Sequence, residues 1–184
     1  LRFQKRIIFL EVSANTLDIV YFSQTTEFTC GPASLMMAMN SIRPDYRPSV
    51  SEELQIWREA TTIYMTSGHG GCSPYGLALA AHRRGFRVEV SVTLSGPLFT
   101  EGVRKPEKKR VLCQVHEDFM REIAATDIEV TQAPLLQDQI EAALNRREVP
   151  IVLISTYHFD KKKTPHWAVI SAIDAHFIYI HDPD

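Results

Sequence analysis

One cysteine stands where two kinds of chain pattern meet. An extended run, Leu17 to Phe22, gives way to a helical pattern in which Leu35, Met36, Met39 and Ile42 form an apolar stripe. Thr29 is placed to cap that helix. Cys30 and Gly31 open it, and Pro32 falls in the first turn, where a missing N–H costs nothing. A thiol at such a position feels the positive end of the helix dipole, which favours the thiolate, the nucleophilic form. The competing reading is a small buried cysteine packing a helix end, since free cysteine is among the most buried residue types. On this stretch alone the two readings stay open.

Composition narrows the classes. With 184 residues the chain fits a single domain over 1–184, and 45% hydrophobic residues suffice for a sizeable core. A net charge of -2 gives no reason to expect nucleic acid or an anionic membrane as partner. Three widely spaced cysteines, Cys30, Cys72 and Cys113, leave at least one thiol outside any disulfide, which favours a reducing, cytoplasmic setting. No CxxC pair supports structural zinc, and no metal or cofactor is expected. No apolar run approaches the roughly 20 residues of a membrane helix. The opening residue, Leu1 rather than Met, reads as the start of a fragment.

In chain order, Arg6–Val12 and Leu17–Phe22 read as strands, and the Cys30 helix should end near Ser41, before Arg43-Pro44. Ser49-Val50-Ser51-Glu52 is a capping box opening a helix to about Ala60, with Leu54, Ile56 and Trp57 available to the core. Residues 61–65 fit either a strand or a helical continuation. A glycine-rich turn, 67–72, precedes a helix capped by Ser73, started by Pro74 and closed by Gly85. This turn lacks the Lys-Ser/Thr of a phosphate loop. His69 and Cys72 would make only half a metal site. Phe86–Val92 reads as a strand, Gly96–Arg110 as a solvated loop or substrate-contacting flap, and Gln114–Ala125 as a helix facing inward through Val115, Phe119, Ile123 and Ala124. Ile128–Thr131 is a short strand. Leu135–Arg147 is a helix with Leu136, Ile140, Ala143 and Leu144 inward. Val149–Thr156 is a strand, 160–164 an exposed turn, and His166–Ile173 with Phe177–Asp182 a hairpin. Helices dominate the first half and antiparallel strands the second. The expectation is an α+β fold, with a helical lobe over about 23–85 against a sheet lobe over about 86–184 plus the N-terminal strands.

A cysteine nucleophile needs a base, and the base an orienting group. His166 begins a strand on the face of Ala168, Ile170 and Ala172. A hairpin turning at Asp174 and Ala175 puts it opposite a residue near Asp182 or Asp184, so Asp182 can take the imidazole's second nitrogen. His158 lies in a polar turn, His176 in the hairpin turn, and His181 alternates away from Asp182. Gln24, six residues before Cys30, can supply an amide N–H to a tetrahedral oxyanion beside the nucleophile's own backbone N–H.

In this order the residues resemble the bacteriocin-processing, double-glycine cysteine peptidases of the papain-like superfold. The resemblance rests on Gln24, Cys30-Gly31-Pro32-Ala33-Ser34-Leu35, His166-Trp167-Ala168-Val169 and Asp182-Pro183, with Cys72-Ser73-Pro74-Tyr75-Gly76-Leu77 and Gly85 resembling that family's second helix. It implies a papain-like fold, Cys30 as nucleophile, His166 as base, Asp182 as orienter, Gln24 as oxyanion donor, and a peptide or protein substrate cut after Gly-Gly. The stretch also resembles a bacterial branch found alone or fused behind an N-acetyltransferase domain, which makes such a domain a candidate partner. Gly70, Gly71 and Cys72 are expected to pair with substrate backbone, and Tyr75 and Trp167 to wall the cleft down to glycine-sized residues. For Trp167 the alternative is a core-facing side chain on the other side of its strand. Acyl transfer or amide hydrolysis on the same machinery, and a non-catalytic peptide-binding module, are the alternatives.

Overall fold

The computed structural model describes residues 16–65, 68–100, 102–155 and 165–184. The expected strand at 6–12, Ser67, His158 and the turn at 160–164 lie outside them.

The centre of the molecule is α1 (Cys30–Ile42). Met36, Met37 and Met39 on different sides of it are all buried, at roughly 1.5–3 kcal/mol apiece. A helix apolar on most faces must be enclosed, and α1 lies among α2 (Val50–Ala60), α3 (Pro74–Arg83) and a three-stranded sheet. At the start of α2, Ser49 Oγ accepts the Glu52 N–H at 3.2 Å. The Glu52 carboxylate turns instead to Tyr46 and Arg84, so only half of the capping box forms. α3 starts on Pro74 and ends at Gly85, whose φ of 78° is left-handed. There the Gly85 and Phe86 N–H groups donate to the His82 and Ala81 carbonyls at 2.9 and 3.2 Å, closing the helix as the glycine predicts. Gly76 lets α3 cross the end of α2, because a Cβ there would lie 2.6 Å from Ala60 Cα.

The larger sheet is antiparallel, in the order β3 (Ile151–Ser155), β4 (Pro165–Ile173), β5 (Ile178–His181), with Ile154 opposite His166 and Val169 opposite His181. A second sheet pairs β1 (Glu89–Val92) with β2 (Glu129–Gln132), joined through α4 (Pro106–Ile123). Its Val90 packs with Phe119, Ile123 and Ile128 against Tyr75, Ala78 and Leu79. α5 (Gln137–Asn145) seats Ile140 and Leu144 on Ile170 and Ile173 of β4. The architecture is α+β, as expected.

Several local expectations are corrected. Leu17–Phe22 is not a strand. Both edges of β4 are already paired, and only the register shift between Ile170 and Ala172 leaves the Ser171 carbonyl to accept the Leu17 N–H, at 2.8 Å. The segment's apolar side chains still divide, with Ile19 buried and Val20 and Tyr21 exposed. Residues 61–65 are neither strand nor helix. They fold back on the glycine turn through single bridges, Thr61 to Cys72 and Tyr64 to His69. Strand β1 starts only at Glu89, and it pairs parallel to β2, not antiparallel. The basic stretch read as loop forms the first turns of α4, with Pro106 at their start; these turns are exposed and carry no apolar period to read. Leu112 is buried on α4, whereas Ala124 is exposed past its end. Leu54 and Leu136 also face solvent.

Candidate active site

Cys30 is the first residue of α1 and is buried. Thr29 occupies the cap position, yet its side chain makes no cap bond. Its φ of −104° and ψ of 18° turn the hydroxyl back into the preceding loop, where it accepts the Thr26 N–H at 3.2 Å and donates to the Thr26 carbonyl at 3.1 Å. The expected cap is therefore a loop clasp. It leaves the first-turn N–H groups of α1 uncovered by Thr29, at the positive end of the helix and beside the thiol.

Behind the thiol the packing is tight. A Cβ on Gly31 would lie 3.1 Å from Cys72 Cβ, 3.1 Å from Trp167 Cδ1 and 3.2 Å from Leu77 Cδ1. The Trp167 indole N–H donates to the Cys72 carbonyl at 3.2 Å, which ties β4 to the approach to α3. Ser34 Oγ, one turn after Cys30, donates to the Trp167 carbonyl at 3.2 Å and ties α1 to β4.

His166 is the second residue of β4, and Asp182 follows the end of β5. Their side chains meet, His166 Nε2 to Asp182 Oδ1, at 2.5 Å. The Asp184 N–H also donates to Asp182 Oδ1, at 3.0 Å. His166 is pushed up to about 9. The first cause is a hydrogen bond with the Cys30 side chain; burial opposes it, and the Cys30 charge and the Asp182 hydrogen bond and charge add to it. With Nε2 committed to Asp182, Nδ1 is the nitrogen left for sulfur. Asp182 thus holds His166, and Cys30 lies near enough to be the first cause of its rise.

Gln24 is half-buried beside the Asp182 segment. Its backbone N–H donates to the Pro183 carbonyl at 2.8 Å, and its Nε2 reaches Asp184 Oδ1 at 3.3 Å. Its Oε1 is buried with no hydrogen-bond partner among the described residues. The next residue, Thr25, is held from α2: its N–H donates to Glu53 Oε1 at 2.8 Å and its hydroxyl to Glu53 Oε2 at 2.7 Å.

The residues expected to line the cleft divide. The Gly70 carbonyl accepts from Trp57 Nε1 at 3.0 Å and Thr61 Oγ1 at 3.2 Å, and the Gly71 carbonyl accepts the Thr62 N–H at 2.9 Å. These carbonyls stabilise the turn itself. The Cys72 side chain is buried beneath Gly31, and burial, then the Cys30 charge, push its thiol well up. Trp167 and Tyr75 are not cleft walls. Trp167 faces the core, with its polar edge satisfied internally. Tyr75 is 4% exposed, packed with Ala78 and Leu79 and edge-on to His116. His69 stacks on Phe28, with ring centres 4.6 Å apart. Among the described residues no cluster of three or more His, Cys, Asp or Glu could hold a metal ion. No helix there is long and apolar enough to cross a membrane.

Two contributors to this geometry escaped the sequence reading. Ser34 is a hydroxyl on an enclosed helix. Glu53 is a carboxylate at the i position of the buried i, i+3, i+7 set completed by Ile56 and Ala60, and that mismatch of residue type and position was the available signal.

The site thus sets a buried cysteine at a helix start with a histidine that an aspartate holds. Residues 19–184 match the family described as Peptidase_C39 like. The chain belongs to that family. Comparison with curated proteins and with solved structures gives no match.

Proposed function

We propose that this C39-like domain is a cysteine peptidase. The observation that carries the reading is the His166–Asp182 bond at 2.5 Å, with the buried Cys30 at the start of α1 as the first cause of the raised His166 value. In the proposed reaction His166 takes the Cys30 proton, and the thiolate attacks the scissile carbonyl carbon. The carbonyl oxygen becomes an oxyanion held by the Cys30 backbone N–H and by the Gln24 amide, turned from Asp184 toward substrate. The intermediate collapses as imidazolium gives its proton to the leaving amine. Water, deprotonated by His166, then releases the acid from the thioester and regenerates the thiol. Asp182 fixes the tautomer and stabilises the imidazolium throughout.

The finer reading is that the substrate is a peptide or leader cut after small residues such as Gly-Gly, in a bacterial cytoplasm, by a domain that stands alone or follows an N-acetyltransferase domain. It derives from the sequence resemblance, and the free thiols at Cys30, Cys72 and Cys113 support a reducing compartment. Trp167 and Tyr75 are both buried, so glycine selectivity is not assigned to them. A library varied at the two positions before the cut tests it, and equal cleavage after Leu or Phe sinks it.

The peptidase reading is tested with a peptide carrying a thiol-reactive electrophile. Cys113 is the exposed thiol and Cys30 a buried one, so accessibility alone favours Cys113. Preferential labelling of Cys30, lost in His166→Ala, supports the reading. Labelling of Cys113 first, or a Cys30 rate indifferent to His166→Ala, contradicts it.

A further inference from the structure

We propose that Glu53 is a positioning residue for Gln24, acting through Thr25; this rests on the peptidase reading above. Glu53 is 0% exposed. A carboxylate so placed must be compensated by partners. Both of its oxygens are committed to one residue, to the Thr25 N–H at 2.8 Å and the Thr25 hydroxyl at 2.7 Å. Two bonds from one rigid helix to one residue fix that residue's orientation as well as its place. No ion pair among the described residues draws on Glu53; α2 meets Arg84 through Glu52 and Glu59 instead. For packing alone an apolar side chain would serve better between Ile56 and the loop, so the carboxylate's distinctive contribution is the grip on Thr25.

The grip is one of two. On the other side of the loop the Gln24 N–H is held by the carbonyl of Pro183, the residue after Asp182. Gln24 is thus suspended between α2 and the Asp182 segment, which fixes the backbone that carries its amide. Loss of the Glu53 anchor leaves Cys30 and His166 in place, since Ser34 and Trp167 fix them separately. It frees the loop that carries the amide donor.

The test uses the full 184-residue chain with Glu53→Ala, Glu53→Gln, Thr25→Val and Gln24→Ala. Readouts are peptide hydrolysis, inhibition by a peptidyl aldehyde, alkylation of Cys30 by iodoacetamide, and backbone amide exchange over residues 24–26. An aldehyde adduct places an oxygen where the oxyanion forms, whereas iodoacetamide needs only the thiolate. Removing an oxyanion donor outright costs about 10²–10³ in kcat, so Glu53→Ala is expected to lose about 10–10² with KM little changed. Aldehyde affinity should weaken in step, amide exchange at Thr25 should quicken, and alkylation should stay within about twofold of wild type. Glu53→Gln should recover most of the loss, because its oxygen still accepts the Thr25 N–H and its NH₂ can donate to the Thr25 hydroxyl. Adding Glu53→Ala to Gln24→Ala should cost little more. Thr25→Val, which keeps the N–H bond to Glu53 Oε1 but removes the hydroxyl bond to Oε2, should give a smaller effect of the same kind. The proposal is overturned if exchange at 24–26 and aldehyde affinity are unchanged. It is equally overturned if alkylation falls in proportion to kcat, the mark of general damage. A wild-type chain that cleaves no peptide, yet shows the expected exchange and aldehyde responses, defeats the peptidase reading and upholds this one.

Discussion

Ser34 donates its hydroxyl to the carbonyl of Trp167 at 3.2 Å, and both ends of that bond are buried. Ser34 lies one turn beyond Cys30, and Trp167 directly follows His166. One hydrogen bond therefore joins the helix that carries the thiol to the strand that carries the imidazole. Ser34→Ala should cost about 1 kcal/mol of stability. It should also lower kcat by about tenfold, because misplacement of reacting groups is penalised steeply. Denaturant titration and steady-state kinetics check the two parts, and unchanged kcat would show that the Cys30–His166 geometry is held without this bond.

Asp182→Asn removes a charge while keeping an acceptor for His166 Nε2. His166 is held up to about 9, first by the Cys30 hydrogen bond, with Asp182 adding to it. The alkaline limb of the rate–pH profile should move to lower pH in the variant, with kcat/KM down about tenfold or more. The stability sign follows from a pKa raised above the ordinary value of about 6.5. The contribution of charged His166 to folding is complete below about pH 6.5 and is lost as pH rises through 9. The stability gap between wild type and His166→Gln should accordingly close between those limits. A gap constant from pH 6 to 10 would contradict the linkage.

The parts legible in the sequence were those written in local signals or in strand register. Pro74 and Gly85 bracket α3 because a missing N–H is free at one end and a left-handed residue is needed at the other. His166 and Asp182 were brought together by the hairpin turn between β4 and β5, since antiparallel pairing converts separation along the chain into proximity. What was not legible depends on partners distant in sequence. The first turns of α4 are helical but polar, so periodicity is silent there. Thr29 looks like a cap until Thr26 competes for its hydroxyl. The direction of Trp167 depends on the face of β4 that α1 covers, which strand alternation leaves as two alternatives.

Trp167→Ala is expected to destabilise the protein, not to widen substrate choice. The ring packs under Gly31 and its N–H satisfies the Cys72 carbonyl. Truncation of a buried tryptophan costs about 3–5 kcal/mol. Thermal unfolding should show a large drop in Tm, and a peptide library should show the same side-chain preference at reduced rate. Broader acceptance at unchanged stability would return Trp167 to the cleft wall.

Gly31→Ala tests how closely the back of the thiol is packed. The new Cβ would meet Cys72, Trp167 and Leu77 at 3.1–3.2 Å, three neighbours that are themselves enclosed. Overpacking of this kind costs about 1–3 kcal/mol. Because the strain falls on the residue next to Cys30, alkylation at Cys30 should slow by more than the stability loss explains. Rescue by Gly31→Ala with Leu77→Ala, which withdraws the Leu77 Cδ1 contact, would locate the clash there; absence of rescue would assign it to Cys72 or Trp167.

Arg84 supports the same site from a greater distance. It is mostly buried at the end of α3, where its Nε meets Glu52 Oε1 at 2.6 Å, its Nη1 meets Glu59 Oε2 at 2.7 Å, and its Nη1 also donates to the Ala80 carbonyl at 2.8 Å. These bonds lock α3 to α2, the helix that presents Glu53. Burial works to raise the Glu59 carboxyl, but hydrogen bonds from Arg84 and Gln55 outweigh it and hold the group below its ordinary value. A lowered carboxyl stabilises the fold above its unfolded pKa and loses that contribution as pH falls through the folded value. Arg84→Ala strands two partly buried carboxylates and should cost about 2–4 kcal/mol at neutral pH. The cost should shrink steadily below about pH 4.5 as the Glu59 carboxylate protonates. Urea unfolding of wild type and variant across pH 3–7 measures both. A loss independent of pH would mean that the side chain contributes through its packing and not through Glu52 and Glu59.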